Sequence, residues 1–140
     1  MPSRSALAID HLELDARFVY DRGMRNFRRL DVWQRSHRLA IGVNQTADGF
    51  RGRHRFGLGD QITRAAMSIP ANIAEGAGRE SVKEFRRFLT IALGSTAELE
   101  SHVLLARDLG VVTDSIANDH LEEIGVIRRM LLKLRANVRS

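Results

Sequence analysis

The chain contains no cysteine among its 140 residues, which excludes disulfides, thiol catalysis and zinc sites built on thiolates. It also has no apolar run near the roughly 18 residues that a membrane span needs. No apolar block typical of a signal peptide stands near its N-terminus. The sequence therefore predicts a cytoplasmic protein without a membrane partner, and its length fits one domain with one core.

Motifs of common enzyme classes are missing as well: the chain has no P-loop, no Gly-x-Ser-x-Gly elbow and no His-Glu-x-x-His pair. Glu98 and His102 lie one turn apart near the end of one predicted helix. His120 and Glu123 are similarly spaced near the start of the next, at a similar height in a bundle. A solvated or interfacial polar cluster is favoured over a metal site there. We therefore predict no enzyme, no metal and no cofactor.

What the sequence does contain is a series of long amphipathic segments joined by short connections. The predicted helices span, in chain order, about 31–47, 58–74, 81–109 and 113–138. Asp31 with Gln34, and Ser81 with Glu84, have the spacing of capping boxes, and Gly110 ends the third helix. The pattern predicts an all-α fold, an antiparallel up-down four-helix bundle.

The apolar seams of these helices predict the core. Its expected members are Trp33, Ile62, Ile69, Ile73, Phe88, Leu89, Leu99, Ile127 and Leu131. Residues 27–140 form the predicted bundle domain, and residues 1–26 are predicted to be a loosely ordered N-terminal extension. In that extension Leu12, Leu14, Ala16, Phe18 and Tyr20 alternate with polar residues. This alternation suits a strand, yet no second strand is available to pair with it, and a short helix is the alternative.

The stretch S-I-P-A-N-I-A-E-G-A-G-R, which begins at Ser68, combines features that an ordinary helix avoids. Pro70 falls inside an apolar helical pattern, where it removes one backbone donor and costs roughly 3 kcal/mol. Ser68 and Asn72 can satisfy disturbed backbone groups, and Gly76 and Gly78 supply the exit from the helix. The plainest interpretation is a kinked core helix with a glycine stop.

A further glycine interrupts the third helix at Gly94, at a cost of roughly 1 kcal/mol against alanine. We expect close packing by the second helix to compensate, with packing by a neighbouring subunit as the alternative. Ser68, Asn72 and Glu98 would then form a polar network with a structural role.

From Phe27 onward the chain resembles a known family. The residues that carry the resemblance are Phe27, Leu30, Val32-Trp33-Gln34, Phe56, Leu58, Gln61-Ile62, Arg64-Ala65-Ala66, Ser68 through Gly76, Gly78-Arg79, Ser81, Glu84-Phe85, Phe88-Leu89, Ile91-Ala92, Gly94-Ser95 and Glu98-Leu99-Glu100. They are similar to the bacterial four-helix bundle proteins encoded in intervening sequences of large-subunit ribosomal RNA genes. That family includes the accessory variability determinant of diversity-generating retroelements.

The resemblance implies a four-helix bundle that assembles as a homo-oligomeric ring, typically a pentamer, and has no catalytic activity. It also implies a basic surface that contacts nucleic acid. The signature positions, with a structural role, are Ser68, Pro70, Asn72, Glu75, Gly76 and Gly78. One departure from the family is the loop at Arg51, Arg53 and Arg55, which is more basic than the expected Phe-Pro turn and lacks its proline.

Charge points to an anionic partner, with a formal net charge of +5 and 22 basic residues. Up-down topology gathers many of them at one pole of the bundle. The predicted contact residues are Arg79, Lys83, Arg86, Arg87, Arg128, Arg129 and Lys133. RNA, DNA or a nucleoprotein containing a reverse transcriptase would be attracted there without sequence reading. The alternative is a structural scaffold whose solvated basic face binds no nucleic acid.

Overall fold

The computed structural model describes residues 26–138, and four long helices account for most of them. They are α1 (Asp31–Asp48), α2 (Leu58–Ala77), α3 (Val82–Asp108) and α4 (Asp114–Asn137). A 3-10 helix at Phe27–Arg29 precedes α1, and a single helical turn at Arg53–Phe56 lies between α1 and α2. No strand occurs between residues 26 and 138. The predicted all-α class is confirmed, while the N-terminal extension lies, except for its last residue, outside the described residues.

The helices pack as neighbours in chain order, and α1 also contacts α4, which closes the bundle. Arg135 Nη1 of α4 donates to Thr90 Oγ1 of α3 at 3.1 Å. Nearer the other end of this pair, Arg107 Nη1 lies 3.5 Å from Asn118 Oδ1. Because the partner number falls as the residue number rises, α3 and α4 run antiparallel. No helix between residues 26 and 138 combines the length and the apolar character needed to cross a bilayer.

The core is formed by one apolar stripe from each helix. Its largest fully buried side chains are Phe85, Leu30, Ile62, Ile69, Ile73, Leu89, Leu99, Ile124, Ile127, Leu131, Val32 and Val43. Eight of the nine predicted core residues are buried, and Trp33 is the exception, being only half-buried. Val32 occupies the core stripe of α1 instead. The Trp33 ring stacks on His37 at 4.7 Å and meets Phe27 edge-on at 5.0 Å.

Capping explains most helix boundaries. Ser81 Oγ accepts from the Glu84 amide at 3.0 Å, and Thr113 Oγ1 accepts from the Ile116 amide at 3.2 Å. Gly110 follows α3 with a φ of 71°, a conformation that glycine adopts without strain. The predicted cap at Ser81 and the predicted stop at Gly110 are confirmed, and the cap at Thr113 lies at the predicted start of the fourth helix.

The predicted cap at Asp31 is wrong. Leu30 is the N-cap of α1 and makes no side-chain cap bond, while Asp31 is already helical. The Gln34 side chain donates to the Arg28 carbonyl at 2.7 Å, outside the helix, so no capping box forms. The preceding 3-10 turn, which the sequence did not reveal, supplies this carbonyl.

Helix α2 continues three residues past its predicted end, so Gly76 lies inside the helix, where it packs against α3. A Cβ on Gly76 would lie 2.6 Å from Phe88 Cβ, closer than real Cβ atoms approach, and a tight 3.1 Å from Phe85 Cδ1. Only glycine therefore lets α3 sit at this distance. Gly78 follows as the C-cap with an ordinary φ of −81°, so the predicted glycine stop lies at Gly78 and not at Gly76.

The expected packing around Gly94 does not occur. A Cβ on Gly94 would meet nothing within 4 Å, since this residue lies on the exposed side of α3. The polar network predicted for Ser68, Asn72 and Glu98 is also absent from the described residues. Ser68 Oγ donates to the Ala65 carbonyl at 2.9 Å, and the Asn72 amide donates to the Ser68 carbonyl at 2.7 Å. Both side chains serve their own helix around Pro70.

Candidate nucleic-acid interface

The predicted basic pole lies where α2 and α4 end and α3 begins. We call the seven residues Arg79, Lys83, Arg86, Arg87, Arg128, Arg129 and Lys133 the cationic surface. The Arg86 guanidinium donates to the Val138 carbonyl and so joins the start of α3 to the end of α4. This contact fixes the relative height of the residues on the two helices.

Because of this register between α3 and α4, the cationic surface extends beyond the pole. Thr90 contacts Arg135 and Arg107 contacts Asn118, so Arg128 lies opposite the middle of α3. Ten residues separate it from Val138, which corresponds to about 15 Å of helix. The surface is therefore a strip running from the pole along the side of α4, whereas the sequence predicted one compact pole.

Arg79 and Arg87 enclose the ring of Phe88. Their guanidinium carbons lie 5.0 Å and 4.6 Å from its centroid, within cation–π range. Arg79 also pairs with Glu75 at 2.6 Å, as its i,i+4 spacing predicts, and Arg87 pairs with Glu84 at 3.2 Å. The sequence placed no aromatic ring on this surface. Phe88 is buried beneath the two guanidiniums, however, so it is not free to stack on a base.

Arg86 donates to the Val138 carbonyl, and the other four members of the cationic surface have no counter-charge among the described residues. Lys83, Arg128, Arg129 and Lys133 are exposed and form no ion pair with any residue from 26 to 138. Arg129 and Lys133 follow one another at a spacing of one turn on α4, so their charges repel. A phosphate that approached these residues would not have to displace an internal carboxylate.

A second basic cluster, at the opposite end of the bundle, is the loop at Arg51, Arg53 and Arg55. Gly52 adopts a φ of 60° there, and the chain then forms the single turn Arg53–Phe56. Phe56 is 76% exposed, with the Arg55 guanidinium carbon 5.8 Å from its ring centroid. Acidic residues surround this end, so its basic charge is less concentrated than on the cationic surface.

The four residues weighed as a metal cluster are divided among different partners. His102 Nε2 lies 3.4 Å from Glu98 Oε1, whereas His120 Nε2 lies 2.8 Å from Thr46 Oγ1 of α1. Glu123 accepts two hydrogen bonds from the Arg35 guanidinium, at 2.7 and 3.0 Å. In the part of the chain from 26 to 138, no group of three or more His, Asp or Glu side chains could hold a metal ion.

Two of the residues at this α1–α4 contact, Arg35 and His120, have a pKa that differs from the usual value. The hydrogen bond to Glu123 raises the pKa of Arg35 above its usual value, although burial opposes it, so this guanidinium stays charged. Burial lowers the pKa of His120 below its usual value, and the charge of Asp119 only partly opposes this effect. These pairs hold α1 against α4.

Sequence reasoning missed an open groove of about 670 Å³ between α1 and α2. Its lining comprises Phe27, Trp33, His37, Ala40, Ile41, Asn44, Gln45, Asp48, Met67, Pro70, Ala71 and Ala74. Ile41 and Met67 are 48% and 55% exposed, although both are apolar. The sequence did contain a sign of this groove, because Ile41 and Met67 lie off the apolar seams of their helices and residues 71 and 74 are small.

Comparison with known proteins gives one result. Residues 28–133 match the sequence model of a family described as 23S rRNA-intervening sequence protein. No curated protein matches the chain. The matched range contains α1, α2, α3 and all seven residues of the cationic surface.

Proposed function

Because the chain belongs to the 23S rRNA-intervening sequence protein family, we propose that it is a non-enzymatic, oligomeric bundle that binds nucleic acid or a nucleoprotein through its cationic surface. The observation that carries this proposal is the exposed set Lys83, Arg128, Arg129 and Lys133, which forms no ion pair with any residue from 26 to 138. Phosphates neutralise such charges and release condensed counterions, a gain that needs no base contact. Binding is therefore electrostatic and weakly selective for sequence.

RNA is the first partner to examine, and a reverse transcriptase complexed with its nucleic acid is the second. The bundle offers no exposed aromatic ring on the cationic surface, which disfavours recognition by base stacking. A strip of about 15 Å suits the backbone of a folded or double-stranded segment, where phosphates follow one another along a line.

The test is a salt titration of binding to a fluorescently labelled structured RNA. The log–log slope should be roughly −0.7 to −0.9 per neutralised phosphate. Replacing Lys83, Arg128, Arg129 and Lys133 by glutamine should weaken binding across all RNA sequences and flatten the slope. Thermal stability should hardly change, because exposed charges contribute little to folding.

A control variant makes the test specific. Arg51, Arg53 and Arg55 replaced by glutamine should bind like the parent, because they lie at the other end of the bundle. If this loop variant alone lost binding, the interface would be misplaced. If all variants and the parent failed to bind at low salt, the scaffold function would replace this proposal.

Exposed apolar side chains outside the core support the proposed oligomer. Ile91 and Leu132, which the sequence marks as lying off the main seams, are 39% and 40% exposed, and Leu105 is 48% exposed. Subunit contacts would bury them, and a ring would repeat the cationic surface around its axis. Sedimentation at micromolar concentration should give a multiple of 15.8 kDa, five-fold for a pentamer. A monomer would contradict the ring.

A further inference from the structure

The groove between α1 and α2 is an open, mainly apolar feature of the described residues that the proposed function does not use. Its floor is apolar, with Pro70 and Ala71 on one side and Ala40 and Ile41 on the other, and its rim carries polar groups such as Asn44. Pro70 has no N–H, so the Ala66 carbonyl lacks the i+4 amide that would otherwise bond it. Ala66 itself is buried in the core, so it is the open apolar groove, and not this carbonyl, that can receive an additional segment of chain.

We propose that the N-terminal segment before residue 26 docks in this groove, with Leu12, Leu14, Ala16, Phe18 and Tyr20 against its floor. The chain enters the described structure at the mouth of the groove, since Phe27 is itself a lining residue. The occupant is therefore tethered at the site, which greatly reduces the entropy lost on docking compared with a free partner.

The lengths agree. Helix α1, which forms one wall, has 18 residues and is about 27 Å long. An extended run of residues 12–20 covers about 30 Å, and the six residues 21–26 reach at most about 20 Å. The segment can therefore leave the mouth of the groove and follow it to the end near Asp48.

The polarity of the segment also fits. In an extended chain alternate side chains point to opposite sides. The five apolar residues then face the groove, while four polar residues and Val19 face solvent; the polar ones are His11, Glu13, Asp15 and Arg17. The chain thus carries, next to the groove, a run with one apolar side and one charged side. This arrangement would cover Ile41 and Met67 without burying a charge.

The chain contains its own probe for the test. Trp33 is the only tryptophan and lines the groove. We expect removal of residues 2–22 to shift its emission to longer wavelength and to increase its quenching by acrylamide. Far-UV circular dichroism verifies that the shortened protein keeps its helices. Unchanged emission and quenching would overturn the proposal.

Point variants provide a matched pair that does not depend on truncation. Phe18→Ser should increase quenching of Trp33, whereas Arg17→Ser, on the opposite side of the segment, should leave it as in the parent. Equal effects from both would contradict docking by the apolar side.

The alternative occupants of the groove are a second copy of the chain and a separate partner. If a second copy filled the groove, dilution of the full chain would expose Trp33, and the shortened chain would keep its protection. Either result would overturn the proposal. As a direct check, Phe18→Cys and Ile41→Cys introduced together into this cysteine-free chain should form a disulfide within one subunit on oxidation, rather than a cross-linked dimer.

Discussion

The two flanks of α2 meet their neighbours in opposite ways. Toward α3, Gly76 sits so close to Phe88 that an added Cβ would lie only 2.6 Å from the Phe88 Cβ. Toward α1, the same helix leaves a groove of about 670 Å³ beside Pro70 and Ala71. Small residues therefore have two consequences in one helix: on one flank they permit contact, and on the other they leave space.

Helix α1 also has two different flanks. One flank borders the groove, and the other faces α4. There α4 reaches it through the Arg35–Glu123 ion pair and the Thr46–His120 hydrogen bond. The α2–α3 half of the bundle is thus closed by direct apolar packing. Helix α1 also buries an apolar stripe in the core, but its flank toward α4 adds these polar contacts and its flank toward α2 borders the groove.

The largest effect is expected at Gly76. Gly76→Ala should lower the free energy of unfolding by about 1–3 kcal/mol, because the new methyl group overlaps Phe88 and forces α2 and α3 apart. Urea unfolding followed by circular dichroism measures this loss. A variant as stable as the parent would mean that the two flanks of α2 are equally tolerant.

Gly94→Ala is the matched control, with the opposite sign. It lies in a helix and faces open space, so alanine should raise the free energy of unfolding by roughly 0.5–1 kcal/mol. The same urea experiment applies. A loss instead of a gain would show that Gly94 packs against another subunit in the oligomer.

A smaller effect is expected where α1 meets α4. A double-mutant cycle with Arg35→Gln and Glu123→Gln should give a coupling energy of about 0.5 kcal/mol, since both side chains are partly exposed and solvent screens the pair. Thermal or urea unfolding of the four proteins supplies the values. A coupling as large as the Gly76 effect would contradict the weaker attachment of α1.

The smallest effect is expected from the pH dependence of His120. Its pKa is lowered by burial, so the folded protein binds this proton less readily than the unfolded chain. Stability is therefore fully present above the ordinary histidine pKa of about 6.5 and decreases as pH falls below it. His120→Gln should reduce this decrease, measured as melting temperature between pH 7.5 and 5. His54→Gln, in the short helical turn between α1 and α2, serves as the control.

Local chemistry made much of the fold predictable. The caps at Ser81 and Thr113 and the stop at Gly110 depend on a few neighbouring residues, and all three are present. Gly76 and Gly94 were not predictable in this way: the sequence places Gly76 at a helix exit and Gly94 at a close-packing position, whereas Gly76 packs closely inside α2 and Gly94 faces open space. Their difference comes entirely from what faces them in the tertiary structure.

The candidate interface was predictable to a similar degree. Helical spacing gave the Glu75–Arg79 pair, and charge counting gave the members of the cationic surface. The position of Phe88 between two arginines depends on how α2 packs on α3, and the height of Arg128 depends on the register of α3 with α4. Neither is encoded by spacing along a single helix. The groove was hidden for the same reason.

The closure of the bundle has a kinetic consequence. Three of the four lateral contacts join helices that are consecutive in the chain, and such local topologies fold quickly. The α1–α4 contact is different, because Arg35 and Glu123 are 88 residues apart and must close a long loop. We expect it to form after the transition state. Removing Glu123 should then accelerate unfolding and leave the folding rate nearly unchanged.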